Sequence, residues 1–286
     1  MSAQITAFFH KTSSTYSYVV VDGATRRAAV IDPVLDYDAA SGRTGSRSAQ
    51  AIVDYIRAAG CSLDWILETH AHADHLSAAQ FIKQESGGSI AIGEGIRTVQ
   101  ATFAAIYGLG ADFSPDGRQF DRLLKDGERL RIGDLEVEVM AVPGHTSDSL
   151  AYRIGDALFT GDTLFMPDSG TARCDFPGGD AGALYDSIQR ILALPEATRL
   201  YLCHDYGAGG REHRNETTVE EERRTNIHMK DGAGREAYVK LRRERDATLP
   251  MPALLLPAIQ VNIRAGRLPE PSADGVVYLR IPLNRF

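Results

Sequence analysis

The sequence predicts an α/β fold in which two β-sheets pack face to face with helices on both outer faces, an α/β/β/α sandwich. Short β-rich runs fall into two series along the chain, and each series is trailed by segments whose apolar residues recur at helical spacing. The length, 286 residues with 43% hydrophobic side chains, supplies apolar material for one large layered domain.

The first series is ITAFFH (5–10), YSYVVVD (16–22) and AAVIDP (28–33), read as consecutive antiparallel strands separated by Ser/Thr/Gly turns. Ile52, Val53 and Ile56 then mark a helix over 48–59, which Gly60 stops before the strand LDWILETH (63–70). A helix starting near His75, the strand SIAIG (89–93), a helix over 96–107 and a Gly/Asp/Pro-rich loop over 108–117 complete this half. The second series alternates in and out over 130–146 and 149–165, each run crossing a Gly-Asp hairpin signal. A helix over 180–193 and the strand TRLYLCHDY (198–206) follow. Residues 1–210 are assigned to the sandwich. Residues 211–286, charge-dense at first and then Pro-rich, are assigned to a carboxy-terminal extension of the same domain that docks on the sandwich and contributes to the substrate pocket.

The formal charge of −7 argues against a nucleic-acid partner, which would favour a basic surface. That charge is uneven: residues 1–210 carry 17 basic and 27 acidic side chains, and residues 211–286 carry 14 and 11. The net positive tail suggests a role in gathering an anionic substrate. Three scattered cysteines do not make a disulfide scaffold, no run is long enough to span a bilayer, and the amino terminus lacks a secretory pattern. A cytoplasmic protein with no membrane partner is the expectation.

The chemistry concentrates in Thr69 to His75, THAHADH, where an apolar strand gives way to a turn. His70 and His72 are two apart, so extended geometry points both imidazoles one way, and the turn brings Asp74 and His75 toward the same point. His145 (AVPGHT), Asp162 (FTGDTLF) and His204 (YLCHDY) each sit just past another strand. Strand ends meeting at one edge of a sandwich account for all four placements. Neutral imidazole with carboxylate suits zinc, iron or manganese. Cys61 and Cys203 read as structural, Cys203 pointing away from the metal by alternation. Cys174 reads as an inert loop thiol, with an acidic, oxidisable thiol beside Arg173 as the alternative.

In this order the motifs HxHxDH, His, Asp, His resemble the metallo-β-lactamase superfamily over nearly the whole chain, which implies its α/β/β/α fold. The stretches GTARCDFPGGD (170–180), HDY (204–206) and TTVEEERRTN (217–226), with LLPAIQVNIRAG in the tail, resemble the persulfide dioxygenases within it. That resemblance implies one iron(II) per chain held by His70, His145 and Asp162, with His72, Asp74, His75 and His204 supporting them. It implies oxidation of glutathione persulfide by O2 and water to sulfite and glutathione, a sulfurtransferase as a candidate supplier of the persulfide, and a homodimer. Arg173 and Tyr206 match the family's glutathione contacts, and Arg214 and Arg224 of the basic tail are further candidates. All seven ligands of a two-metal hydrolase are nevertheless present. The alternative reading is therefore a glyoxalase II-like enzyme that hydrolyses glutathione thioesters with two zinc ions.

Overall fold

The computed structural model describes residues 3–111, 113–232 and 234–285; Met1 and Ser2 of the amino-terminal run, and Asp112 of the 108–117 loop, lie outside them. Strands β1 (Gln4–His10), β2 (Thr15–Asp22) and β3 (Arg27–Ile31) run antiparallel in succession, as the sequence predicts. The chain then forms a hairpin absent from the sequence reading, β4 (Val34–Asp38) and β5 (Arg43–Gly45), before helix α1 (Arg47–Ala58). Strand β6 (Ser62–Leu67) joins β3 in parallel, and short β7 (Leu76–Ser77) pairs with β4. Helix α2 (Ala79–Ser86), β8 (Ser89–Gly93), α3 (Ile96–Tyr107) and β9 (Arg122–Leu124) complete a six-stranded sheet of order β1-β2-β3-β6-β8-β9.

Two sequence expectations shift here. The strand predicted over 63–70 ends at Leu67, and the helix predicted near His75 begins at Ala79. The reason is β4: Leu76 and Ser77 pair with Leu35 and Val34, so the metal motif is an irregular loop held between two short pairings.

The second sheet has order β10-β11-β12-β13-β14-β15. It uses β10 (Arg129–Ile132), β11 (Leu135–Ala141), β12 (Leu150–Ile154) and β13 (Ala157–Phe159), then helix α4 (Ala181–Leu192), then β14 (Arg199–Tyr201) and β15 (Glu216–Thr218). The last strand lies beyond residue 210, so the tail completes the sandwich as well as covering it. Helices α5 (Val219–Thr225), α6 (Arg235–Asp246) and α7 (Leu255–Asn262) follow.

Strand periodicity builds the layers. In β2, Tyr16, Tyr18 and Val20 face Val137, Val139, Tyr152 and Phe159 of the opposite sheet. Val19 and Val21, on the other side, meet Ile52 and Ile56 of α1 and Ile259 of α7. The outer face of the second sheet, through Ala151, Leu158 and Leu200, packs on Leu184 and Ile188 of α4 and Tyr238 of α6. Full burial of each such aliphatic or aromatic side chain contributes roughly 1.5–3 kcal/mol. Helix α6 is also tied to the sandwich by Arg242, 1% exposed, which pairs with Asp246 and donates from Nη1 to the Thr171 carbonyl at 2.9 Å.

Candidate metal centre

Four strand ends deliver the polar residues to one edge of the sandwich: the loop 68–75 after β6, His145 after β11, Asp162 after β13 and His204 after β14. The TGD turn must come close to the THAHADH loop, and Gly161 allows it. Its φ is +53°, and a Cβ there would sit 2.7 Å from Thr69 Oγ1.

The ligand atoms form two groups. Those of His70, His145 and Asp162 all lie within 4.8 Å of one another, and so do those of His72, Asp74, His75 and His204. Asp162 stands between the groups: Oδ2 is 3.8 Å from His70 Nε2 and 3.7 Å from His145 Nε2, while Oδ1 is 3.2 Å from His204 Nε2. Asp74 closes the second group, 3.3 Å from His75 Nδ1 through Oδ1 and 3.3 Å from His204 Nε2 through Oδ2.

The residues around the groups aim the rings. Asp32, buried at the end of β3, accepts from Thr69 N–H at 2.7 Å and Thr69 Oγ1 at 2.9 Å, and Thr69 Oγ1 in turn is 3.1 Å from His70 Nδ1. The Asp32 carboxylate also lies 3.1 Å from His72 Nε2. His145 Nδ1 donates to the Arg173 carbonyl at 2.7 Å, leaving Nε2 as the ligand nitrogen. Asp148 accepts from Ala71 N–H at 2.9 Å. From the extension, Asn262 Nδ2 donates to the His72 and His75 carbonyls at 2.7 and 2.8 Å, and its Oδ1 accepts from Ser77 N–H at 2.8 Å.

The electrostatics are those of a buried site short of positive charge. Burial disfavours a charge on His204, but Asp162 and Asp74 outweigh it and raise its pKa to about 10. Against the same burial, Asp32 raises His72 to about 9. Burial and the neighbouring His72 lower His70 and His75. Burial opposes ionisation of Asp74 and Asp162, yet the facing histidines hold both below the usual carboxylate range. Burial and Asp32 push Glu68 up to about 8. Meanwhile His70 Nε2, Asp74 Oδ2, His75 Nε2, Asp162 Oδ1 and His204 Nε2 are buried and, beyond the ion-pair contacts they make with one another, find no hydrogen-bond partner among the described residues. Native interiors rarely leave polar atoms so, and cations at this spot satisfy them. The donor set of imidazole and carboxylate fits zinc, iron or manganese.

Of the predicted substrate contacts, Arg173 and Tyr206 line a cleft of about 470 Å³ beside Asp74, His145 and Asp162. Arg173 is already engaged: Nε donates to Asp175 at 2.7 Å, Nη1 donates to the Pro250 carbonyl at 2.7 Å, and the guanidinium lies over Phe176. Tyr206, 56% exposed, stacks on His204 with ring centroids 5.9 Å apart at the cleft mouth. Arg214 and Arg224 are not in the cleft. Arg214 faces Glu221 at 3.8 Å, and Arg224 is exposed on α5. The tail instead brings Arg242 and Arg245 to it, at helical spacing on α6 that no motif singled out.

Cys203 departs from expectation. Alternation was to point it away, but β14 ends at Tyr201, and its thiol lies in a cluster with His72, Asp162 and His204. Burial and Asp162 hold that thiol protonated. Cys174 is buried against Asp246 at 3.5 Å, and burial and that carboxylate push its pKa up to about 12, which contradicts the acidic alternative. Asp32, Asp148 and Asn262 escaped sequence reading. Only Asp32 carried a signal, a carboxylate at a strand end in AAVIDP.

Fold and site together define a metal-binding enzyme built on an α/β/β/α sandwich. The chain belongs to the metallo-beta-lactamase superfamily, whose family model matches residues 11–204. Glyoxylase B2 of Dictyostelium discoideum is 47% identical over 99% of this chain and 97% of its own. Persulfide dioxygenase ETHE1 of Bos taurus is 30% identical over 92% of this chain and 89% of its own. The crystal structure of ETHE1 from Myxococcus xanthus superposes with a TM-score of 0.73 at 30% identity, over 93% of this chain and 100% of that one. Among the described residues no helix is long and apolar enough to cross a membrane.

Proposed function

We propose that this enzyme hydrolyses glutathione thioesters with two metal ions, in the manner of glyoxalase II. The observation that carries the reading is the Asp162 carboxylate, with one oxygen turned to His70 and His145 and the other to His204. A single cation among His70, His145 and Asp162 would leave Asp74 Oδ2, His75 Nε2 and His204 Nε2 without a hydrogen-bond partner among the described residues; a second one would satisfy them. The similarity to glyoxylase B2 at 47% identity supports the same choice.

Bound divalent cations supply Lewis acidity, polarising a thioester carbonyl and making water nucleophilic at neutral pH. The protein's part is orientation. Thr69 and the Arg173 carbonyl fix the His70 and His145 rings, and Asp32 does so for His72. Water adds to the thioester carbon, the C–S bond breaks, and the products are a carboxylate, a thiol and a proton. Arg245 lines the cleft and makes no ion pair among the described residues, which suits a peptide carboxylate of the glutathione moiety.

A second reading, iron(II)-dependent persulfide dioxygenase, is favoured by a different observation. His70, His145 and Asp162 form a two-histidine, one-carboxylate group that would leave room on an iron(II) ion for substrate and O2, and the relative named for that activity is 30% identical. Paired assays separate the two. The hydrolase reading expects S-lactoylglutathione to be cleaved under nitrogen by zinc-loaded protein; oxygen uptake with glutathione persulfide, and no thioester cleavage, would overturn it in favour of the dioxygenase.

A further inference from the structure

A second pocket, about 790 Å³, is lined by Asp74, His75 and Tyr206 and walled by the β1–β2 turn and the β4–β5 hairpin. A chain of polar side chains runs from this pocket to a metal-site histidine. Thr15 Oγ1 is 3.3 Å from His204 Nδ1 and 2.6 Å from Ser13 Oγ. Ser13 Oγ is 2.7 Å from His10 Nδ1, and His10 Nε2 is 3.4 Å from Asp36 Oδ1. Asp36 is held in turn by Ser48, whose N–H and Oγ donate to it at 3.0 and 2.6 Å.

The donors in this chain can be counted. His204 Nε2 faces Asp162 and Asp74, and a ligand nitrogen carries no hydrogen, so the hydrogen is on Nδ1. From there the side chains can relay in one direction, with the Ser13 N–H also donating to His10 Nδ1 at 3.3 Å and the Thr15 hydroxyl also reaching the Ser13 carbonyl at 3.4 Å. His204 Nδ1–H donates to Thr15, the Thr15 hydroxyl to Ser13, the Ser13 hydroxyl to His10 Nδ1, and His10 Nε2–H to Asp36. Burial keeps His10 neutral, as an accepting Nδ1 requires. Thr15 is fully buried, so no solvent can take its place.

A local turn cap explains the Ser13–His10 contact alone. It does not explain the backbone, which is shaped around His204. Ser14, not a glycine, holds φ at 54°, a left-handed conformation, and its carbonyl accepts from Asp205 N–H at 3.2 Å. Tyr16 N–H donates to the Cys203 carbonyl at 2.7 Å, and Thr15 bridges to His204 in antiparallel fashion.

We propose that Thr15, Ser13 and His10 are positioning residues for His204, fixing its Nδ1–H tautomer and ring direction and so the affinity of the second cation group. The inference rests on the two-cation reading. The alternative within the structure is that the Ser14 carbonyl, also 3.3 Å from His204 Nδ1, suffices alone.

The test is titration of the metal-free, full-length protein with Zn²⁺ against a chromophoric chelator, with Co²⁺ absorption as a second readout of ligand geometry. Thr15→Val, which keeps shape and loses the hydroxyl, is expected to weaken the second equivalent by about 10- to 100-fold while sparing the first. Ser13→Ala is expected to weaken it less, and Thr15→Ser to restore both the affinity and the cobalt spectrum. Two-equivalent binding by the wild type with an unchanged second equivalent in Thr15→Val overturns the inference and leaves the two-cation reading standing. Equal weakening of both equivalents overturns it as well, since that is general loosening. A wild type that binds one equivalent only overturns the two-cation reading, and this inference with it.

Discussion

Asn262 offers the sharpest test of how the extension supports the metal loop. The residue is 4% exposed and its side chain makes three hydrogen bonds to backbone groups of that loop and β7: the His72 and His75 carbonyls and the Ser77 N–H. Asn262→Ala leaves those three groups buried without partners. At about 1–3 kcal/mol for each orphaned group, and with one of them recovering a water, the loss is roughly 2–6 kcal/mol. Asn262→Asp keeps the acceptor for Ser77 but loses both donors and faces two carbonyls with a carboxylate, so it is expected to be at least as damaging. Urea unfolding of the chelator-treated protein measures the difference without help from bound metal, and a thermal scan should show a fall of at least about 4 °C. A loss below about 1 kcal/mol in Asn262→Ala would refute the claim that α7 holds the loop in place.

Other outcomes follow from the same geometry. His145→Ala is expected to abolish binding at the His70/Asp162 group, read as one fewer metal equivalent per chain. Arg173→Ala is expected to raise KM by about tenfold, close to 1.4 kcal/mol, with metal content intact, because the carbonyl that orients His145 belongs to the backbone. In the metal-free protein His204 and His72 are raised to about 10 and about 9 from an unfolded value near 6.5. Their contribution to stability is therefore full below pH 6.5 and lost as pH rises through 9 to 10. Zinc must displace those protons, so its affinity is expected to climb over the same window. Unfolding of the chelated protein at pH 6, 8 and 10, with zinc titrations at pH 6 and 8, checks both signs.

The layered fold was legible because strand alternation and helical spacing are local signals, and β2 shows the code plainly: Val19 and Val21 go to the helices, Tyr18 and Val20 to the opposite sheet. The β4–β5 hairpin was not, since Leu35, Asp36 and Tyr37 gain their partners from β7 and β5 rather than from any periodicity of their own. The ligand histidines announced themselves by chemistry and spacing. What aims them did not. Asn262 lies 190 residues from the carbonyl of His72 that it holds, and Cys203 took its direction from where β14 ends. From the tail, Arg242 and Arg245 on one helix face line the cleft, whereas Arg214 and Arg224, the candidates read from the sequence, meet acidic neighbours or solvent.

Anomalous diffraction from crystals of the zinc-loaded protein bears most directly on the role of Asp162. Two zinc peaks roughly 3.5–4 Å apart, one against His70 and His145, the other against Asp74, His75 and His204, with Asp162 touching both, is the result expected. A single peak among His70, His145 and Asp162, with the second group empty at saturating zinc, would contradict it.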